Sequence, residues 1–206
     1  MNLCYNPVNS NKEVIKLQQK VVPGTVLSYT GNDGMFSMFR PMIEVANGLT
    51  LSQVCAITGL EASTVQNWVK RGFVAHPRQK KYFSRQLARI LLISALRDCM
   101  KIEQIGELMS MVNGDPDDES DDIISEEQLY DYLCDAIGQM DFRGYHSEET
   151  EKIVDSITAG YVGPDDGAGE RLKTALMTMV HAYLSGRHKQ EADLYFSRMK
   201  EKIKNK

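Results

Sequence analysis

Gln66 and Asn67 stand side by side in a short stretch that also carries Ser63, Thr64, Lys70 and Arg71. The two carboxamides are the side chains able to pair bidentately with the edge of an adenine. The two cations suit phosphate oxygens. A few residues downstream, Arg78, Lys80, Lys81 and Tyr82 form a second, basic group, with Tyr82 able to pack against or donate to a backbone. Groups of this kind recognise; they do not break bonds. No nucleophile–base–orienter set, phosphate loop or paired-carboxylate site occurs along the chain, so an enzyme is not expected. Cys4, Cys55, Cys99 and Cys134 are scattered singly, and His76, His146, His181 and His188 are equally dispersed. Thiolate metal sites need clustered ligands, so no metal and no cofactor is expected, and Cys55 and Cys99 read as small hydrophobes on apolar helix faces.

The elements that must position these groups are legible. Thr50-Leu51-Ser52-Gln53 has the form of a capping box, with Leu51, Val54, Cys55 and Ile57 giving an apolar side to the helix that follows. Thr58-Gly59-Leu60 breaks it, Gly59 being free to take the positive φ of a tight exit. A second helix is expected from about Ala62 to Arg71, with Val65, Trp68 and Val69 at i, i+3 and i+4 facing the core. Ser63, Thr64, Gln66, Asn67 and Lys70 then point outward, and Gly72 ends the helix. Two short helices about a glycine turn make the helix-turn-helix pattern, in which the second enters the major groove. Phe73 to Phe83 leaves as an extended basic loop of hairpin type, with Pro77 favouring extension; this is what a phosphate-gripping wing requires. Ser84 is expected to cap a longer helix with Leu87, Ile90, Leu91 and Leu96 inward, and another follows through Ile102, Ile105, Leu108 and Met109.

Charge is segregated in the same way. From Glu61 to Lys101 nine Lys/Arg face two acids, whereas Glu103 to Glu151 holds sixteen acids and Arg143 as the one base. A basic binding face beside an acidic solvated region fits this opposition. Overall, 28 acids against 24 bases and a pI near 5.6 argue against coating nucleic acid by bulk positive charge. The longest apolar run, Ile90 to Ile93, is far too short to span a membrane, and Met1 to Ser10 has no signal-peptide pattern. A soluble, cytoplasmic globular protein is expected, with no membrane partner.

Leu51 to Leu60, Thr64-Val65, Arg71-Gly72-Phe73-Val74 and Pro77-Arg78 resemble the MerR-type winged helix-turn-helix. Lys81-Tyr82-Phe83-Ser84 and Ile102 to Leu108 continue the likeness. More closely, the chain resembles domain-of-unknown-function family 1836, a bacterial group with a MerR-like domain, over roughly residues 40–140 and most clearly from Lys81 to Met109. The resemblance implies a mainly α fold, double-stranded DNA as partner and a role in transcription regulation; it implies no effector. Gln66 and Asn67 stand where MerR proteins usually have an arginine and a tyrosine, so those family contacts do not carry over. The wing is shorter than is common in that family. No metal-binding cysteine pair follows, nor the long antiparallel dimer helix of the metal sensors.

Asn113 to Asp122 is an acidic loop whose carboxylates, counted from Asp115 to Glu126, partly follow the calcium-loop spacing. Ser120 stands where that loop needs glycine, so a flexible solvated loop is the favoured reading. A helix from Ser125 carries Leu129, Tyr132, Leu133, Ala136 and Ile137, and Asp141 to Tyr145 closes it. A short one spans about Glu148 to Ala159. Gly160 to Gly169 reads as a linker, followed by two helices, Glu170–Leu184 and His188–Lys204, each with an apolar stripe. The expected division is residues 1–40 as an arm with a weak Lys12–Lys20 helix and little fold of its own, 41–145 as the MerR-like domain, and 146–206 as a C-terminal helical region. The last either packs on the chain or forms a homodimer. Two functions stay open: a DNA-binding regulator, and a winged-helix protein-interaction module that reads no DNA.

Overall fold

The computed structural model describes residues 20–25, 28–29, 34–140 and 147–204. The Lys12–Lys20 helix (all but Lys20), the closing Asp141–Tyr145 segment, Cys4 and His146 lie outside them. The described residues are mainly helical, with eight α-helices: α1 (Arg40–Val45), α2 (Leu51–Thr58), α3 (Ala62–Lys70), α4 (Ser84–Leu96), α5 (Ile102–Asn113), α6 (Glu126–Gln139), α7 (Ser147–Thr158) and α8 (Ala168–Lys204). A 3-10 turn at Met35–Met38 precedes α1, and two-residue strands at Lys20–Val21 and Ser28–Tyr29 pair antiparallel. Among the described residues no helix is long and apolar enough to cross a membrane.

Helix α4 is the axis of the fold. Leu87, Ala88, Ile90, Leu91, Leu92, Ile93 and Leu96 are all buried, so the helix is apolar on nearly every side and must be covered all round. Helices α2, α5, α6 and α8 pack around it, and one core cluster runs from Val22 to Leu184. Val22, Phe36 and Phe39 belong to this core; Phe36 meets Tyr130 edge to ring, and the Tyr130 hydroxyl donates to the Pro23 carbonyl at 2.6 Å.

Four expectations are corrected. Ser84 is the first residue of α4 and not its cap; the start is closed by Gln86, whose Oε1 accepts from the Phe83 amide at 2.7 Å. The acidic loop is exposed to solvent, as expected, but it is not unattached. Arg85 of α4 reaches into it, donating to the Asp115 and Asp118 carbonyls and to Asp122, while Asp115, Asp118 and Asp121 accept from loop amides. The Gly160–Gly169 stretch is a tied corner: Arg171 grips Asp165, and the Tyr161 hydroxyl donates to the Ile123 carbonyl. Finally, the two C-terminal helices are one continuous helix of 37 residues. Gly186 lies inside it because the backbone passes the α4–α5 corner closely. A Cβ there would stand 3.2 Å from the Asp98 Cβ, and Gln190 donates to the Asp98 carboxylate one turn on.

Candidate nucleic-acid interface

The capping box forms as its sequence requires. Thr50 Oγ1 accepts from the Gln53 amide at 3.3 Å, and Gln53 Oε1 accepts from the Thr50 amide at 2.8 Å. Gly59 ends α2 at φ 70°, where its amide donates to the Cys55 carbonyl. This left-handed residue turns the chain into α3, which glycine does without steric cost. Val65, Trp68 and Val69 are buried beneath α3; Ser63, Gln66, Asn67 and Lys70 are exposed, and Thr64 is half-buried. Arg71 follows as the cap residue, and Gly72 leaves the helix at φ 76°.

The segment after α3 forms no continuous strand. It holds two single antiparallel bridges, Arg78 with Lys81 and Leu49 with Tyr82. The Arg78 and Lys81 backbones exchange hydrogen bonds of 3.0 and 2.9 Å, and Gln79 and Lys80 form the two-residue tip at φ 50° and 62°. Both tip residues are left-handed, the conformation of a type I′ turn. Neither is glycine or asparagine, so the tip carries backbone strain. The base of the segment is held from α4. Gln86 donates to the His76 carbonyl at 2.9 Å, and Arg89 Nε donates to the Phe73 carbonyl at 2.8 Å.

The arrangement brings members of both expected groups together, whereas Ser63, Thr64, Asn67, Arg71, Arg78 and Lys81 do not line the shared groove. Gln66, Val69 and Lys70 from α3, and His76, Pro77, Lys80 and Tyr82 from the following segment, line one open groove of about 620 Å³ with Leu51. Its floor is apolar and its rim is polar and basic. Arg78 and Lys80 are exposed at the tip.

Three residues of the expected set are engaged within the protein. Lys81 Nζ donates to the Ala46 and Gly48 carbonyls at 3.3 and 3.1 Å, which holds the exit of α1. Tyr82 is 3% exposed; its backbone pairs with Leu49 and its ring shapes the groove floor, so it is not placed to reach a phosphate. Burial pushes its phenol above the ordinary range, with Cys55 adding to the effect. Arg71 is exposed but pairs with Glu103 of α5 and lies 4.8 Å from the Phe73 ring centre. Glu103 is held below the ordinary carboxylate range by its backbone hydrogen bond and by Arg71.

Gln86 and Arg89 are the supporting residues that sequence reasoning missed. A signal for them exists: Gln86 and Arg89 alternate with the apolar residues Leu87, Ala88 and Ile90 of a helix covered on nearly every side, and polar side chains there need buried partners. Arg89 is 3% exposed and its second partner is Glu126, fully buried, at 3.0 Å. Arg85 lies 3.0 Å from the other Glu126 oxygen and 3.2 Å from Asp122. Burial raises the Glu126 carboxyl above its usual range, against the pull of the two arginines. Asp122 is pushed up to about 7 by burial first and by Glu126 second. Among the described residues no group of three or more His, Cys, Asp or Glu is arranged to hold a metal ion. Cys55, Cys99 and Cys134 are free thiols; Cys99 is exposed at the turn after α4 and not, as expected, on an apolar helix face.

No solved structure matches the chain. Over 115 residues it is 30% identical to "Uncharacterized protein YkrK" of Bacillus subtilis (strain 168), an alignment covering 52% of this chain and 49% of that relative. The chain thus spans about half the length of the curated relative it matches. Residues 42–133, which carry α2 to α5, the groove and most of α6, match the family model described as Domain of unknown function (DUF1836).

Proposed function

We propose that this protein is a DNA-binding transcriptional regulator in which α2 and α3 act as a MerR-like helix-turn-helix. Helix α3 enters the major groove with Ser63, Gln66 and Asn67 toward base edges, and the tip of the following hairpin serves as a short wing. The observation that carries this reading is the shared groove: the outward face of α3 and the cationic tip border one concavity, with Gln66, Lys70 and Lys80 on its rim. Exposed carboxamides and cations carried together by α3 and the tip match the division between base readout and phosphate grip. Lys70, Arg78 and Lys80 are the phosphate cations of this reading, since Lys81 is occupied by the Ala46 and Gly48 carbonyls.

The second reading, a winged protein-interaction module, is favoured by one feature. Leu51, Val69, Pro77 and Tyr82 give the groove an apolar floor that a peptide side chain could fill. Selection of bound duplexes from a randomised library separates the two. The DNA reading expects an enriched sequence, with Gln66→Ala and Asn67→Ala each relaxing the preference at one position by about 1–3 kcal/mol. A library recovered without enrichment, together with unchanged binding by both variants, would leave the interaction module standing.

A further inference from the structure

A polar cleft of about 210 Å³ opens where the Val22–Thr25 turn, the end of α4 and the middle of α8 meet. Thr58, the last residue of α2, stands in the same wall. Backbone packing fixes these walls. Gly24, at φ 72°, lies so close to the Leu91 carbonyl that a Cβ would collide with it, and Gly186 gives α8 its close approach to Asp98. The hydrogen bond from Tyr130 to the Pro23 carbonyl ties the turn to α6. The cleft is therefore preformed. Its volume falls below the roughly 300–1,000 Å³ of pockets for drug-sized molecules, so it suits a small occupant.

Its charged side chains are Arg97, Asp98 and Arg187, and Ser94 and Tyr183 add two hydroxyls. Among the described residues neither arginine meets a carboxylate; Arg187 donates to Gln190 Oε1 at 3.3 Å. One unpaired arginine on a surface is ordinary. Two arginines sharing a concavity with a half-buried serine and a buried tyrosine form a donor set that suits an oxyanion. Burial raises the Tyr183 phenol while Arg187 pulls the other way. Asp98 sets a second requirement. One of its oxygens accepts from Gln190 Nε2, and a carboxylate has acceptor capacity to spare. A bare anion meets repulsion there, whereas an anion with a hydroxyl or ammonium beside its carboxylate brings a donor to Asp98.

We propose that this cleft binds a small carboxylate bearing an adjacent hydrogen-bond donor, a 2-hydroxy or 2-amino acid. Arg97 and Arg187 take the carboxylate, with Ser94 and Tyr183 as neutral donors, and Asp98 accepts from the neighbouring hydroxyl or ammonium. The site needs no DNA and shares no residue with the groove between α3 and the hairpin, so it stands or falls separately from the regulator reading.

Titration of the ¹⁵N-labelled full chain, followed by amide shifts at constant ionic strength, tests it. The probes are lactate, alanine, acetate and inorganic phosphate. Lactate or alanine is expected to give saturable shifts at Ser94 to Asp98 and at Tyr183 to Arg187, and the two arms tell a 2-hydroxy from a 2-amino acid. Acetate and phosphate should bind several-fold more weakly. Arg97→Gln with Arg187→Gln should weaken the better probe by about tenfold or more. That variant should keep its melting temperature, since both side chains are exposed. Asp98→Asn should narrow the advantage of that probe over acetate. Four results would each overturn the proposal: no saturable shift with any probe, shifts confined to Gln66–Tyr82, undiminished binding by the double arginine variant, or acetate or phosphate binding as tightly as the better of lactate and alanine.

Discussion

Lys80 and Lys81 are neighbours with different fates. Lys80 is exposed at the hairpin tip, whereas Lys81 folds back onto two carbonyls behind α1. Composition counts them alike; only the positive φ of the tip and the Arg78–Lys81 bridge separate them. The same limit applies to Arg71, whose partner Glu103 lies on a helix that only the tertiary fold brings near. Deeper in, Arg89 joins the hairpin base to Glu126. Arg89→Met would take one of two cations from buried Glu126 and the donor from the Phe73 carbonyl, and a loss of about 3–5 kcal/mol in denaturant unfolding is expected. A change under about 1 kcal/mol would show that Arg85 alone suffices for Glu126. Asp122 adds a pH dependence. Its folded-state value of about 7 lies above the ordinary 3.8, so the native protein keeps a proton that the unfolded chain releases. The stability this group contributes is full below about pH 4 and is lost as pH rises through about 7. Melting temperatures across that window should therefore fall more steeply in the native chain than in Asp122→Asn; parallel curves would contradict the assignment.

Helix α2, helix α3 and the turn between them are legible in the sequence because local signals decide them: a capping box, a left-handed glycine and an apolar triplet. Thr50→Ala should cost about 0.5–2 kcal/mol in denaturant unfolding by removing one half of that box. The Gly186 region is not legible, because a glycine that permits close approach looks in sequence like one that ends a helix. Its partner, Asp98, lies on a different element. The hairpin tip is legible as a turn but not as a strained one, since Gln-Lys is not the sequence a type I′ turn favours. Replacing the pair, Gln79→Asn with Lys80→Gly, should raise stability by about 1 kcal/mol while removing one exposed cation and weakening nucleic-acid affinity. Stability and nucleic-acid affinity moving in the same direction would argue that the tip is only a connector.

At the scale of the molecule, α4 binds the parts into one body. Its polar residues hold the hairpin and the acidic loop, and its apolar ones meet α2, α5, α6 and α8. The segregation of charge along the sequence has a structural counterpart here. The acidic loop is gripped by Arg85 of α4, while Lys70 and Lys80 stand exposed at the groove and Arg78 stands exposed beside the hairpin tip. The most direct test of the central claim is fluorescence anisotropy of random duplex DNA across a salt series, comparing the native chain with Lys70→Ala, Arg78→Ala and Lys80→Ala combined. Each cation that neutralises a phosphate steepens the logarithmic salt dependence by about 0.9. Binding by the native chain is expected, with a slope shallower by about 2–3 in the triple variant. No binding even at low salt, or binding whose slope the triple variant leaves unchanged, would contradict it.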